Sequence, residues 1–201
     1  MAAPPEMIEV SLNEVEALSQ KAARGAGLPW GIAEDAGRTA AWVARHAGTW
    51  AATLLDLLET PPPDGETPLL VAPALADGAI ASAERVAAPL WVLPPILLGP
   101  GRRCPVALRL GAEEIRCNPG EVAGATRPVA WLADAPAAPV ALRVGHDRLM
   151  PLPNAMPPRW RRSLVPVAEW QRLERLAGAT YVAASAESRR RGAGATRLDD
   201  D

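Results

Sequence analysis

Residues 21–48, KAARGAGLPWGIAEDAGRTAAWVARHAG, crowd an arginine, spaced glycines, an indole and alternating charges between two helical patterns. Arg24, the backbone of Gly25 and Gly27, and the start of the next helix at Trp30 and Gly31 together form a candidate receptor for an anion. Free N–H groups at a helix's amino end and a guanidinium attract the same negative charge, and a carboxylate or a phosphate would suit the corner. Gly37 lies inside the second helical pattern, where glycine costs about 1 kcal/mol relative to alanine, so a ligand or another backbone is expected close to it. Glu34 and Asp35 stand four and three residues before Arg38, and both can meet its guanidinium on an exposed face. That pairing is their structural reading. The functional reading makes Glu34 or Asp35 the catalytic acid/base of a cofactor-independent enzyme on a small carboxylate-bearing substrate, with Arg24, Arg38 or Arg189 orienting the anion.

The elements that must hold these residues are marked out by caps and breaks. Ser11 with Glu14 three residues on has the form of a capping box, and Val10 and Val15 stand at staple positions. Leu12, Val15, Leu18 and Ala22 then make one apolar face, opposite Asn13, Glu16, Gln20 and Arg24, until Gly25 and Gly27 stop the helix. Pro29 suits the start of a second helix, in which Ile32, Ala36, Ala40, Val43 and Ala47 form a narrow small-residue stripe ending at Gly48. Thr49 is the expected cap of a third helix, with Leu54, Leu55, Leu57 and Leu58 facing the core, before ETPPPDGETP breaks the chain.

Beyond that break PLLVAP reads as a strand and ALADGAIASAERVA as a helix. LWVLPPILL, PVALRLG, EEIRCN, VAWLAD and VALRVGH follow as short runs bounded by Gly and Pro, with an antiparallel fold-back expected at Gly111. A last helix is expected from Val167 to Ala177, with Trp170, Leu173 and Leu176 or Ala177 on one face, followed by a loose polar tail. The order of helices then strands indicates an α+β fold: an N-terminal helical hairpin plus a third helix, a β-rich and mainly antiparallel middle, and a C-terminal helix. One domain, 1–201, is expected, with a helical part 10–59, a loop 60–68, a β-rich part 69–150, and the C-terminal helix and tail at 157–201.

Several chemistries are excluded by residue type. The sole lysine, Lys21, precedes GAG instead of following it, so neither a P-loop nor a pyridoxal phosphate lysine fits. No serine sits in G-x-S-x-G, and neither GAG, at 25–27 or 192–194, extends to G-x-G-x-x-G. No cofactor is therefore expected. Cys104, Cys117, His46 and His146 are too scattered for a metal-ligand pattern, so no metal is expected and the cysteines read as buried thiols, with a catalytic thiol as the alternative. His46, in the last turn of the second helix, complements the helix dipole.

The net charge of −2 gives no general pull toward nucleic acid or anionic lipid. Against that stand RWRR at 159–162, where Trp160 could stack on a base, and RRR at 189–191, which keep a nucleic-acid binder as a second alternative. The longest apolar stretch, APLWVLPPILLG, is interrupted by Pro94 and Pro95, so no bilayer span is expected. The start MAAPPEMIEV has no basic region and no continuous apolar segment, and a cytoplasmic protein is the expectation.

SLNEVEALSQKAARGAGLPWGIAEDAGRTAAWVARHAG, together with TYVAASAESRRRGAGA near the end, resembles a bacterial family of proteins of similar length known only as a domain of unknown function. The resemblance supplies no activity; it marks Arg24, Gly25, Gly27, Trp30, Gly31, Glu34, Gly37 and Arg38, then Tyr181, Ser185, Ser188 and Arg189, as hallmark positions and implies that the tail folds back, which adds Tyr181, Ser185, Ser188 and Arg189 to the corner's candidate ligand-binding residues. A weaker likeness, over residues 10–45, is to the non-Rossmann malate, lactate and ureidoglycolate dehydrogenases. Their G-H-x-S-H-G motif is replaced here by ARHAGTW, so hydride transfer is not implied. The expected function is a non-catalytic accessory or binding protein for an anionic small molecule, a second copy of the chain or a partner subunit.

Overall fold

The computed structural model describes residues 4–98, 106–110, 112–118, 121–126, 132, 135–144 and 161–180. Strand β1 (Met7–Ser11) leads directly into helix α1 (Leu12–Gly25). The capping box closes reciprocally: the Ser11 N–H donates to Glu14 Oε2 at 2.7 Å, and the Glu14 N–H donates to Ser11 Oγ at 3.2 Å. Val10 and Val15 are both buried at this junction, as a hydrophobic staple requires. Gly27 turns the chain with φ of +96°, a conformation glycine adopts without strain, and α2 (Trp30–His46) follows.

Helix α2 buries Ala33, Ala36, Gly37, Ala40 and Val43, and at Gly37 the missing side chain lets α1 approach closely. A Cβ on Gly37 would lie 2.8 Å from the Glu16 carbonyl oxygen and 3.0 Å from Gln20 Cβ. Helix α3 (Trp50–Glu59) inserts Trp50, Leu54, Leu55 and Leu57 into the core, with Leu58 partly buried. Thr49 occupies its N-cap position but forms no side-chain cap bond.

The stretch 68–98 departs from the sequence expectation. PLLVAP is not a strand but most of α4 (Pro68–Ala76), and the segment expected as a helix supplies instead β2 (Ser82–Val86). LWVLPPILL is likewise helical, a 3₁₀ turn over Pro89–Val92 running into α5 (Leu93–Leu98). An apolar run of this length has no periodicity to separate helix from strand. A strand buried here would need flanking strands for its backbone groups, whereas a helix satisfies most of its own. In β2 the exposed Glu84 and Arg85 hide the alternation, as charges on an edge strand do.

The five-stranded sheet has the order β2-β6-β3-β4-β5, with β3 (Val106–Leu110), β4 (Glu113–Asn118), β5 (Glu121–Ala125) and β6 (Ala138–Val144). Every pairing is antiparallel, and Leu108 stands opposite Ile115 on one side and Leu142 on the other. Val106, Leu108 and Leu110 are buried and Arg109 is exposed, while Ala107, on the Arg109 face, is buried too. Of VAWLAD only Leu132, fully buried, lies among the described residues; Gly111 lies outside them. A separate antiparallel ribbon joins β1 to β7 (Arg162–Pro166), which runs straight into α6 (Val167–Gly178). Leu173 and Ala177 of α6 are buried and Trp170 is partly so. The fold is α+β, with the helices at both ends that the sequence implied. No helix among the described residues is long and apolar enough to cross a membrane.

Candidate functional site

The amino end of α2 is fixed by the turn that precedes it. Ala26, Gly27 and Leu28 donate back to the Ala22, Arg24 and Ala23 carbonyls at 2.9, 3.0 and 3.1 Å, closing the end of α1. Arg24 Nη1 donates to the Leu28 carbonyl, so the guanidinium clamps the turn from outside. From there it lies over the indole of Trp30, with Cζ 4.9 Å from the ring centroid, a cation–π contact worth about 0.5–1 kcal/mol at an exposed site. Trp30 is nevertheless 63% exposed. Pro29 occupies the N-cap position of α2 and offers no side-chain acceptor. Its carbonyl receives the Ala33 N–H at 2.9 Å, the first bond of the helix.

The glycines of this region divide by what surrounds them. Gly25 and Gly37, expected beside a ligand, are filled by other helices: a Cβ on Gly25 would fall 1.7 Å from the Leu176 carbonyl oxygen of α6, and Gly37 faces α1. The close approach that a mid-helix glycine implied is thus a second backbone. A Cβ on Gly27 or Gly31 would meet nothing within 4 Å, and both positions remain open.

Arg24 and Arg38 are not brought together. Arg38 Nη2 lies 2.5 Å from Asp35 Oδ1, about two turns along α2 from Trp30. Asp35, Arg38, Thr39, Pro94, Pro95 and Leu98 line a cleft with room for about one water, roughly 10 Å³. Trp30, Glu34 and Arg38, at four-residue spacing, are all exposed on α2. Glu34 and Asp35 therefore stand as surface acids, with Asp35 engaged by Arg38. Tyr181, Ser185, Ser188 and Arg189 lie outside the described residues, as do Cys104, His146, Arg159 and Trp160.

The remaining groups have structural occupations. Cys117 is buried in β4. His46 closes α2, with Nδ1 2.7 Å from the Trp42 carbonyl and its ring 4.3 Å from the Trp42 ring. Among the described residues no group of three His, Cys, Asp or Glu side chains could hold a metal ion. Arg162 bonds Glu9 across the ribbon at 2.9 Å, and both side chains of the pair stay more than half exposed.

Sequence reasoning missed a cavity of about 370 Å³ at the other end of α2, lined by Glu9, Ala44, Gly48, Arg162, Ser163 and Leu164. Trp50 Nε1 donates to Ser163 Oγ at 2.9 Å beneath it. Glu9 and Arg162 are separated by 153 positions, so no local spacing could announce the pair; alternation in MIEVS and RSLVP was the one available signal. Two carboxylates elsewhere are perturbed. The Ser11 hydroxyl and backbone N–H hold Glu14 below the ordinary carboxylate range, helped by Arg162. Burial pushes Glu169 up, opposed by Arg172 and the Ala52 N–H and reinforced by Asp56.

Residues 10–60 match the family described as Protein of unknown function (DUF3726). The matched span runs from the capping box through α1, α2 and α3, and so contains the whole amino-end corner. No curated protein and no solved structure matches the chain. The likeness to the malate, lactate and ureidoglycolate dehydrogenases gains no support from these comparisons. The DUF3726 match brings no activity with it.

Proposed function

We propose that the chain is a non-catalytic binding protein that docks a partner subunit through the exposed face of α2, with Trp30 as its anchor. The observation that carries this reading is an indole 63% exposed yet held in place by a guanidinium against its ring. An apolar ring left in water forgoes roughly 25 cal/mol for each Å² it could bury, and Trp and Arg are the side chains that most often dominate binding energy at interfaces. Holding the ring in one orientation lowers the entropy lost on docking. Glu34 and Arg38, exposed on the same helix, supply charges of both signs for register.

The residues of an anionic-metabolite site fit less well. Arg24 is engaged by Leu28 and the indole, Arg38 by Asp35, and Gly25 and Gly37 by neighbouring helices. The test is capture from native lysate with wild-type and Trp30→Ala chains. The wild type retains one partner in stoichiometric amount and Trp30→Ala loses it at an unchanged melting temperature. A monomeric wild type that retains nothing, or a partner kept equally by Trp30→Ala, overturns the reading.

A further inference from the structure

We propose that the cavity between the β1–β7 ribbon and the carboxyl end of α2 binds a small zwitterion of the α-amino-acid type carrying an apolar side chain. It is independent of the partner docking proposed at the amino end. Its volume, about 370 Å³, falls within the range of small-molecule pockets, about 300–1,000 Å³. Ala44, Gly48 and Leu164 give it apolar walls. Leu164 is 59% exposed although it belongs to a strand, and a Cβ on Gly48 would meet nothing within 4 Å. An aliphatic or aromatic side chain entering here covers apolar surface that the fold leaves wet.

The polar lining selects the other end of the ligand. Glu9 and Arg162 form an ion pair at 2.9 Å, but their side chains are 55% and 59% exposed, so the pair adds little to the stability of the fold and opens readily. A molecule bringing both an ammonium and a carboxylate replaces that one exposed pair with two, ammonium to Glu9 and carboxylate to Arg162. A ligand with a single charge leaves one of the two protein groups without a partner. Ser163, 6% exposed and accepting the Trp50 indole N–H, faces the interior from the opposite side of β7 to Arg162 and Leu164, and holds the floor beneath the charged pair.

The experiment titrates the full chain with L-leucine and L-phenylalanine, and separately with 3-methylbutylamine and 4-methylpentanoate, each of which keeps the leucine-like chain and one charge. Calorimetry or ligand-observed NMR reads the binding. At least one amino acid binds, and each single-charge analogue binds at least about tenfold more weakly, the scale expected for losing a charge-assisted hydrogen bond. Arg162→Gln and Glu9→Gln each weaken binding by about tenfold or more. Gly48→Leu, whose side chain extends into open space, abolishes binding while the melting temperature is kept, which separates blocking from unfolding. Absence of binding up to about 10 mM, where even a millimolar site is nearly saturated, overturns the proposal. So does equal binding of the single-charge analogues, or binding unaffected by Gly48→Leu.

Discussion

The two ends of α2 differ in how their polar groups are used. At the amino end Arg24, Trp30 and the glycines come from one short stretch, and the local density of unusual residues makes that stretch conspicuous in the sequence. Most of those residues are engaged by the fold: Arg24 with Leu28, Gly25 with α6, Gly37 with α1 and Arg38 with Asp35. At the carboxyl end the lining of the cavity comes from β1, α2, the α2–α3 link and β7, and its one ion pair is more than half exposed. The crowded amino-end cluster has been consumed largely by packing, whereas the cavity, lined from two strands far apart in the sequence, left only the short alternations of MIEVS and RSLVP. What the amino end retains is the indole on its surface.

The largest effect that would break this comparison is at Gly25. A Gly25→Val chain is expected to lose about 3 kcal/mol or more, because its Cβ would strike the Leu176 carbonyl of α6, a backbone atom that cannot move aside. Gly31→Ala, with open space around it, stays within about 0.5 kcal/mol in the same urea unfolding experiment. Equal tolerance at the two positions would mean that Gly25 is kept for something other than the α1–α6 contact.

A smaller effect is expected at the other end. Ser163→Ala leaves the buried Trp50 indole N–H without its acceptor and destabilises by about 2 kcal/mol, again read from urea midpoints. A neutral result would show that the floor of the cavity is not held by that bond.

The smallest concerns the cap that starts the helical hairpin. Ser11→Ala is expected to cost about 1 kcal/mol at neutral pH. Glu14, held below the ordinary carboxylate range by Ser11, contributes its stability above that range and loses it as pH falls through its lowered folded value. The gap between wild type and Ser11→Ala therefore narrows from about pH 6 toward about pH 3, measured by thermal unfolding across the series. A gap that widened on acidification would contradict the reciprocal cap.

These contrasts also mark how far the sequence could be read. The capping box, the stops at Gly25 and Gly27, the small-residue stripe of α2 and the Leu173 face of α6 were all legible, because each depends on residues within a few positions of one another. The hairpin of β3 and β4 was legible for the same reason. Residues 68–98 were not. In α4 the apolar residues surround the helix on every side, so no period distinguishes it, and Pro73 sits inside it where a sequence rule places a break. The ribbon of β1 and β7 was missed because each strand has five residues and its partner lies at the far end of the described chain. Of the candidate site, Arg24 and Trp30 stand together as the sequence suggested, while Arg38 stands apart, since spacing along a helix says where a side chain emerges but not which neighbour it bonds.

Photo-crosslinking compares the two ends of α2 in one experiment. A benzophenone side chain placed at position 31 or at position 48, both open in the fold, is irradiated in native lysate. Docking through the indole predicts a protein adduct from position 31 that disappears when Trp30 is replaced by alanine, and none from position 48. An adduct from position 48 alone, or one from position 31 that persists without the indole, would contradict it.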